Sequence, residues 1–173
     1  MKPTILGVIG LACVGLILAS CALAQDVKFQ GVATSSPQRT DKVILTPAQW
    51  KKRLTPEQYK ILREEGTEPA FWGRNLGHKG AVVYHCVGCD LPRFKASTKF
   101  DSGTGWPSFY EPIDLKSIWF QRDTTFGMVR TEVLCSKCDG HLGHVFDDGP
   151  KPTGLRFCMN GKVLKFKPAK AAY

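Results

Sequence analysis

Apolar residues are distributed along this chain in three ways, and each predicts a different kind of element. An apolar run from Ile5 to Leu18 opens the sequence. It is shorter than the roughly 20 residues that a membrane-crossing helix needs. A polar, small-residue stretch from Gln25 to about Lys42 follows, centred on Thr34-Ser35-Ser36-Pro37, and reads as a flexible spacer. Helix signals then come twice. Thr46-Pro47 is an N-cap followed by proline at the first helical position, opening a short helix through Trp50. Thr55-Pro56-Glu57-Gln58 repeats the signal as a capping box, and Tyr59, Ile61 and Leu62 supply an apolar stripe that ends before Gly66. Trp50 and Tyr59 are read as core packing.

After Gly66 the pattern shortens. Ala81–Tyr84, Ser117–Phe120, Gly127–Val133 and Lys162–Phe166 read as strands separated by Gly and Pro. None is followed by a long helical pattern, which argues against parallel crossover units and predicts antiparallel sheets. The expected fold is mainly β, with two packed antiparallel sheets and short N-terminal helices. One domain should span residues 45–167, after a spacer over 25–44 and before a frayed tail over 168–173.

The seven cysteines add chemistry to this frame. Cys86 with Cys89, and Cys135 with Cys138, form two Cys-x-x-Cys knuckles, each after a predicted strand. Four thiolates brought together would close a tetrahedral zinc site with no position left for water, a structural staple at one edge of a sheet. Two disulfides are the alternative, and the identical spacing of the knuckles favours metal. His85 adjoins Cys86, but four sulfurs already fill the shell. Cys13 and Cys21 belong to the leader. Only Cys158 is left, and that makes it the candidate nucleophile.

The leader and the charge bear on location. Lys2, the apolar run and Ala22-Leu23-Ala24 describe an export signal over residues 1–24. Leu18-Ala19-Ser20-Cys21 also resembles a bacterial lipobox, in which case residues 1–20 are removed and Cys21 becomes a lipid-bearing membrane tether. Both readings stand. Either places the protein in the periplasm or cell envelope. Against 24 basic residues stand 15 acidic ones, a net charge of +9. An exported protein rarely meets nucleic acid, so this charge is read as solubility and weak surface adhesion, with no nucleic-acid partner.

Three segments remain: Lys99-Phe100-Asp101-Ser102-Gly103-Thr104-Gly105-Trp106-Pro107-Ser108-Phe109, His141-Leu142-Gly143-His144-Val145-Phe146-Asp147-Asp148-Gly149, and Arg156-Phe157-Cys158-Met159-Asn160. With Leu54–Tyr59 and the two knuckles, they resemble the signature blocks of the B-type methionine sulfoxide reductases, which act on the R epimer. The resemblance runs from about Leu45 to Lys167. It implies a catalytic set of Cys158, His144, His141, Trp106 and Asn160, and oxidised proteins bearing methionine-R-sulfoxide as substrates. It also implies one structural zinc.

The chemistry of the residues agrees with that resemblance. A sulfoxide sulfur needs a soft nucleophile, and its oxygen needs a proton. Thiolate and imidazole meet those needs. Cys158 would attack sulfur and be left as a sulfenic acid. His144 carries the main acid role, with His141 beside it. The indole of Trp106 would receive the sulfoxide methyl group, and Asn160, on the strand face of Cys158, would orient the site. Phe109, Phe146 and Phe157 read as walls and core. Asp147 and Asp148 order a loop or support a histidine, and His78 reads as a surface residue.

One departure matters. Many family members carry a resolving cysteine at the position of Thr104. Its absence predicts a one-cysteine cycle in which an external thiol or an exported thioredoxin-like partner reduces the sulfenic acid. A monomer is expected. The competing reading is an exported zinc-ribbon binding module without catalysis, which has no need of a lone cysteine near two histidines.

Overall fold

The computed structural model describes residues 31–73 and 80–169. The leader, with Cys13 and Cys21, lies outside the described residues, as does His78. Helix α1 spans Pro47–Arg53 and α2 spans Pro56–Glu64. Both open on a full capping box: Thr46 and Thr55 accept from the backbone N–H of Gln49 and Gln58, whose side chains accept in return. Helix α2 stops one residue earlier than Gly66 suggests. Glu65 takes the left-handed conformation, and the Gly66 N–H closes on the Lys60 carbonyl.

Among the described residues nine strands follow: β1 Val82–Cys86, β2 Pro92–Lys95, β3 Lys99–Phe100, β4 Ser108–Phe109, β5 Ile118–Asp123, β6 Arg130–Cys135, β7 His141–Phe146, β8 Arg156–Met159 and β9 Leu164–Pro168. They form two antiparallel sheets, β2-β1-β9 and β3-β4-β8-β7-β6-β5. The mainly β, two-sheet reading with short leading helices is thus the observed fold. Tyr84 of β1 meets Phe109 of the larger sheet, and Phe94 of β2 meets Phe109 and Phe157, with Phe120 behind Phe157. Phe94 stacks on Phe109 at 4.4 Å and lies 5.8 Å from Phe157. Phe94, Phe109 and Phe157 are fully buried, each contributing about 1.5–3 kcal/mol from area removed from water. This aromatic layer holds the sheets together.

Three stretches differ from expectation. Residues 31–44 are not a free spacer. Val43 donates to Lys137 O, Lys42 Nζ reaches Ser136 O and both Asp139 oxygens, and Ala33 bridges to Trp119 on the β5 edge. Polar composition suggested a linker, but these polar groups are bonded to the domain. At the other end, Pro168 lies within β9 and the Ala169 N–H donates to Ala81 O, so pairing continues into the expected tail. The strand expected over Gly127–Val133 also starts later than predicted. Phe126 and Gly127 turn the β5–β6 hairpin, and β6 begins only at Arg130.

Candidate active site and metal centre

The two knuckles are built alike. Strand β1 ends on Cys86 and β6 on Cys135, and each turns through an aspartate, Asp90 or Asp139, held at positive φ. The Asp90 N–H closes on Cys86 O and the Asp139 N–H on Cys135 O, both at 2.9 Å. Aspartate tolerates the left-handed conformation better than most residues. Leu62 of α2 fills the space left by Gly88 and Gly140, so the helix clasps both turns.

All four thiols are buried, with their sulfurs within 4.8 Å of one another. Individual separations are 3.8 Å for Cys86–Cys138, 3.4 Å for Cys89–Cys135 and 3.2 Å for Cys135–Cys138. A tetrahedron with metal–sulfur bonds of about 2.3 Å has edges of about 3.8 Å, so the sulfurs fit one metal ion. Beside them Arg93, fully buried, donates to Cys135 Sγ and to Ser117 O. A buried guanidinium needs negative charge nearby, which thiolates supply. His85 is not among the ligands, since its Nδ1 lies 2.8 Å from Asp90 O.

Cys158 sits apart, at the centre of β8. Its cross-strand partners are Ser108 on β4 and His144 on β7. Directly opposed residues hold their Cβ atoms about 4.5–5.5 Å apart, which brings thiol and imidazole to one face. Gly143 makes this pairing possible. A Cβ there would overlap the Cys158 carbonyl oxygen, so any larger residue would push the two strands apart. Thr104 Oγ1 lies 4.0 Å from Cys158 Sγ, and Ser102 links Thr104 to Ser108 through hydroxyl contacts of 2.8 and 2.7 Å. Burial pushes the Cys158 thiol up. The Arg156 charge and the Thr104 and Ser108 hydroxyls oppose that without reversing it.

A cavity of about 110 Å³ opens beside Cys158, lined also by Trp106, Arg130, His144, Phe146 and Asn160. Four of the five residues singled out from the sequence therefore border one space. Trp106 is fixed by its Nε1–H, which donates to Glu68 O at 3.0 Å. Asn160 does not continue the Cys158 strand. It follows β8 and opens a tight turn over Gly161–Val163, where Oδ1 accepts from the Glu68 N–H and Nδ2 donates to Leu142 O. His141 is not in the cavity wall. It is buried, with Nδ1 on Glu132 at 2.6 Å and Nε2 without a hydrogen-bond partner. A shift in register between β6 and β7 at Val133/Leu134 still brings its ring to 5.4 Å from that of His144.

The charged residues behind these groups went unread in the sequence. His144 Nε2 lies 2.8 Å from Asp123 Oδ2, which also accepts from Arg130. Burial holds His144 below its ordinary value, against the pull of Asp123, and Arg130 and His141 add to the lowering. Asp123 stays below the usual carboxylate range, because hydrogen bonds from Thr125, His144 and Arg130 outweigh its desolvation. Asp148 supports no histidine; it forms a two-point pair with Arg156, whose guanidinium lies 4.3 Å over the Phe146 ring. Glu68 is buried and accepts from the Gly161 and Lys162 N–H groups. A signal for Glu132 was available, because a carboxylate inside the apolar run of a central strand needs a partner. Asp123 and Glu68 carry no such mark.

Comparison with known proteins decides the family. The SelR domain model matches residues 54–168. A peptide methionine sulfoxide reductase MsrB of Thiobacillus denitrificans is 58% identical over 123 residues, 71% of this chain and 93% of that protein. One from Pseudomonas putida W619 is 53% identical over 135 residues, covering 78% and 99%. One from Leptospira interrogans is 55% identical over 118 residues, covering 68% and 90%. The chain belongs to the MsrB family. The region matched by the SelR domain model contains every residue of the cavity wall and all four clustered thiols. It begins after α1, so that helix and the strap over residues 31–44 lie before it.

Proposed function

We propose that this protein reduces methionine-R-sulfoxide in oxidised exported proteins, with Cys158 as nucleophile. The carrying observation is a lone thiol paired across the strands with an imidazole, in a cavity walled by an indole. In the resting site the thiol and the neutral imidazole share one proton between them. His144 takes the proton from Cys158 and delivers it to the sulfoxide oxygen as the thiolate attacks sulfur. Oxygen passes from the substrate to Cys158, leaving methionine and a sulfenic acid. Two equivalents of an external thiol then restore Cys158, releasing water and a disulfide. Trp106 receives the methyl group, which sets the preference for the R epimer. Asn160 and His141, each hydrogen-bonded behind the wall, hold the strands that carry the reacting groups.

Two features support a one-cysteine cycle. The residue nearest Cys158 at the position of a resolving cysteine is Thr104, and the other cysteines among the described residues all belong to the cluster. The four clustered thiols would hold zinc, which supplies a structural cross-link when bound. Export, with cleavage after Ala24 or lipid attachment at Cys21, and a monomeric state complete the reading.

The test is turnover of the separate R and S epimers by the wild type and by Cys158→Ser, with dithiothreitol as reductant. Wild-type reduction of the R epimer alone is expected, with a loss of at least about 10³-fold in the variant. Undiminished turnover by the variant would sink the reading. Mass analysis after one turnover without reductant should find a single added oxygen on Cys158 and no intramolecular disulfide.

A further inference from the structure

The cavity beside Cys158, about 110 Å³, is well below the ~300–1,000 Å³ of ordinary small-molecule pockets. It takes one side chain. Whatever carries that side chain must lie outside, across the rim, and the rim is apolar.

Eight large hydrophobic side chains are exposed among the described residues, and five of them fall on the two segments that border the cavity. Met128 and Val129 run directly into Arg130, a wall residue, and Phe126 stands at the tip of the same hairpin, 89% exposed. On the opposite bank Phe71 and Trp72 are 72% and 71% exposed. Phe71 is fastened to the loop that carries Trp106: its N–H donates to Gly105 O at 2.8 Å. A Cβ at Gly105 would stand 2.9 Å from the Phe71 ring. Scattered surface hydrophobics need no explanation, but a set gathered around one opening marks a contact surface.

The backbone adds a second, independent observation. Among the described residues five non-glycine residues have positive φ, and three of them are accounted for by a helix end or a knuckle turn. The other two are Phe71 at 67° and Phe126 at 55°, one on each bank. A bulky residue in this conformation is strained, and such strain gathers at ligand clamps. The Phe126 turn is also rigidly tied to the chemistry. Thr125 donates twice to Asp123 Oδ1, and the other oxygen of that carboxylate holds His144.

We infer that this rim is the docking surface for an extended polypeptide, and that it selects methionine sulfoxides whose neighbours in the chain are apolar or aromatic. The inference rests on the proposed function of the cavity and names the substrate class that cavity serves. Residues flanking the oxidised side chain lie over Phe126, Met128 and Val129 on one bank and Phe71 and Trp72 on the other.

Three R-sulfoxide substrates test it with dithiothreitol as reductant: the N-acetyl methylamide, a heptapeptide with Leu and Phe flanks, and one with Ser and Gly flanks. The wild type should favour the apolar peptide over the polar one in kcat/KM by about tenfold. Met128→Ser with Val129→Ser, and separately Trp72→Ser, should erase most of that preference while leaving the methylamide unchanged. Equal wild-type turnover of the two peptides, or a preference that survives both sets of substitutions, would overturn the inference and leave the function standing. No turnover of the methylamide by the wild type would remove the functional reading and the rim with it. Sedimentation at working concentration covers the remaining occupant, since dimers broken by the same substitutions would assign the rim to a second copy and overturn docking.

Discussion

Cys135 and Cys158 lie two strands apart in one sheet, yet their surroundings give the same side chain opposite tasks. Burial alone would raise both thiols. At Cys135 the neighbouring thiols and the buried Arg93 reverse that effect and favour the thiolate. At Cys158 the single guanidinium of Arg156 is committed to Asp148 and does not reverse it. One sulfur is thereby suited to hold a cation permanently. The other is held in the thiol form, across the strands from His144. The difference lies in how many partners each site supplies.

The contrast breaks most completely at the cluster. Structural zinc sites contribute about 10–16 kcal/mol in small domains, against a total stability of about 5–15 kcal/mol. Cys135→Ser is therefore expected to abolish cooperative unfolding, with metal content and near-ultraviolet circular dichroism lost together. A sharp, near-native melt in that variant would show that the cluster does not staple the sheets. A smaller effect is expected behind the sulfurs. Arg93→Met leaves the cluster without its buried cation and should cost about 3–5 kcal/mol in urea unfolding, and an unchanged midpoint would mean that the thiol charge is balanced elsewhere.

The smallest change sharpens the other half. With His144 held below its ordinary value and Cys158 above its own, kcat/KM should be flat between two limbs. The acid limb falls below the histidine value, where the imidazole gains a proton and can no longer accept one from Cys158. The alkaline limb falls above the cysteine value, where the shared proton is lost. Asp123→Asn removes a contact that raises His144, so the acid limb should move to lower pH. Movement to higher pH would show that Asp123 does not set the histidine.

Much of this architecture was legible in the chain. The helices announced themselves through Thr-Pro caps, because capping chemistry is local. The knuckles and Cys158 were readable because thiols pair by count and spacing. The two-residue strands β3 and β4 carried no periodicity to detect, and β7 is broken by His141, Gly143 and His144, whose placement depends on β8 pressing against a glycine. Asp123 reaches His144 across 21 residues and Glu68 reaches Gly161 across 93, and no local pattern reports such pairs. Asn160 was expected on the strand face of Cys158, but it leaves the strand and is aimed by Glu68 and Leu142 instead.

The strap over residues 31–44 has a bearing on solubility. Strand β5 is the outermost strand of the larger sheet, and Ala33 lies along it, accepting from the Phe120 N–H. A polypeptide trimmed to the region matched by the SelR domain model would leave that margin bare, an open template on which further chains can stack. The leading segment therefore guards the protein against self-association, whatever becomes of the residues before it.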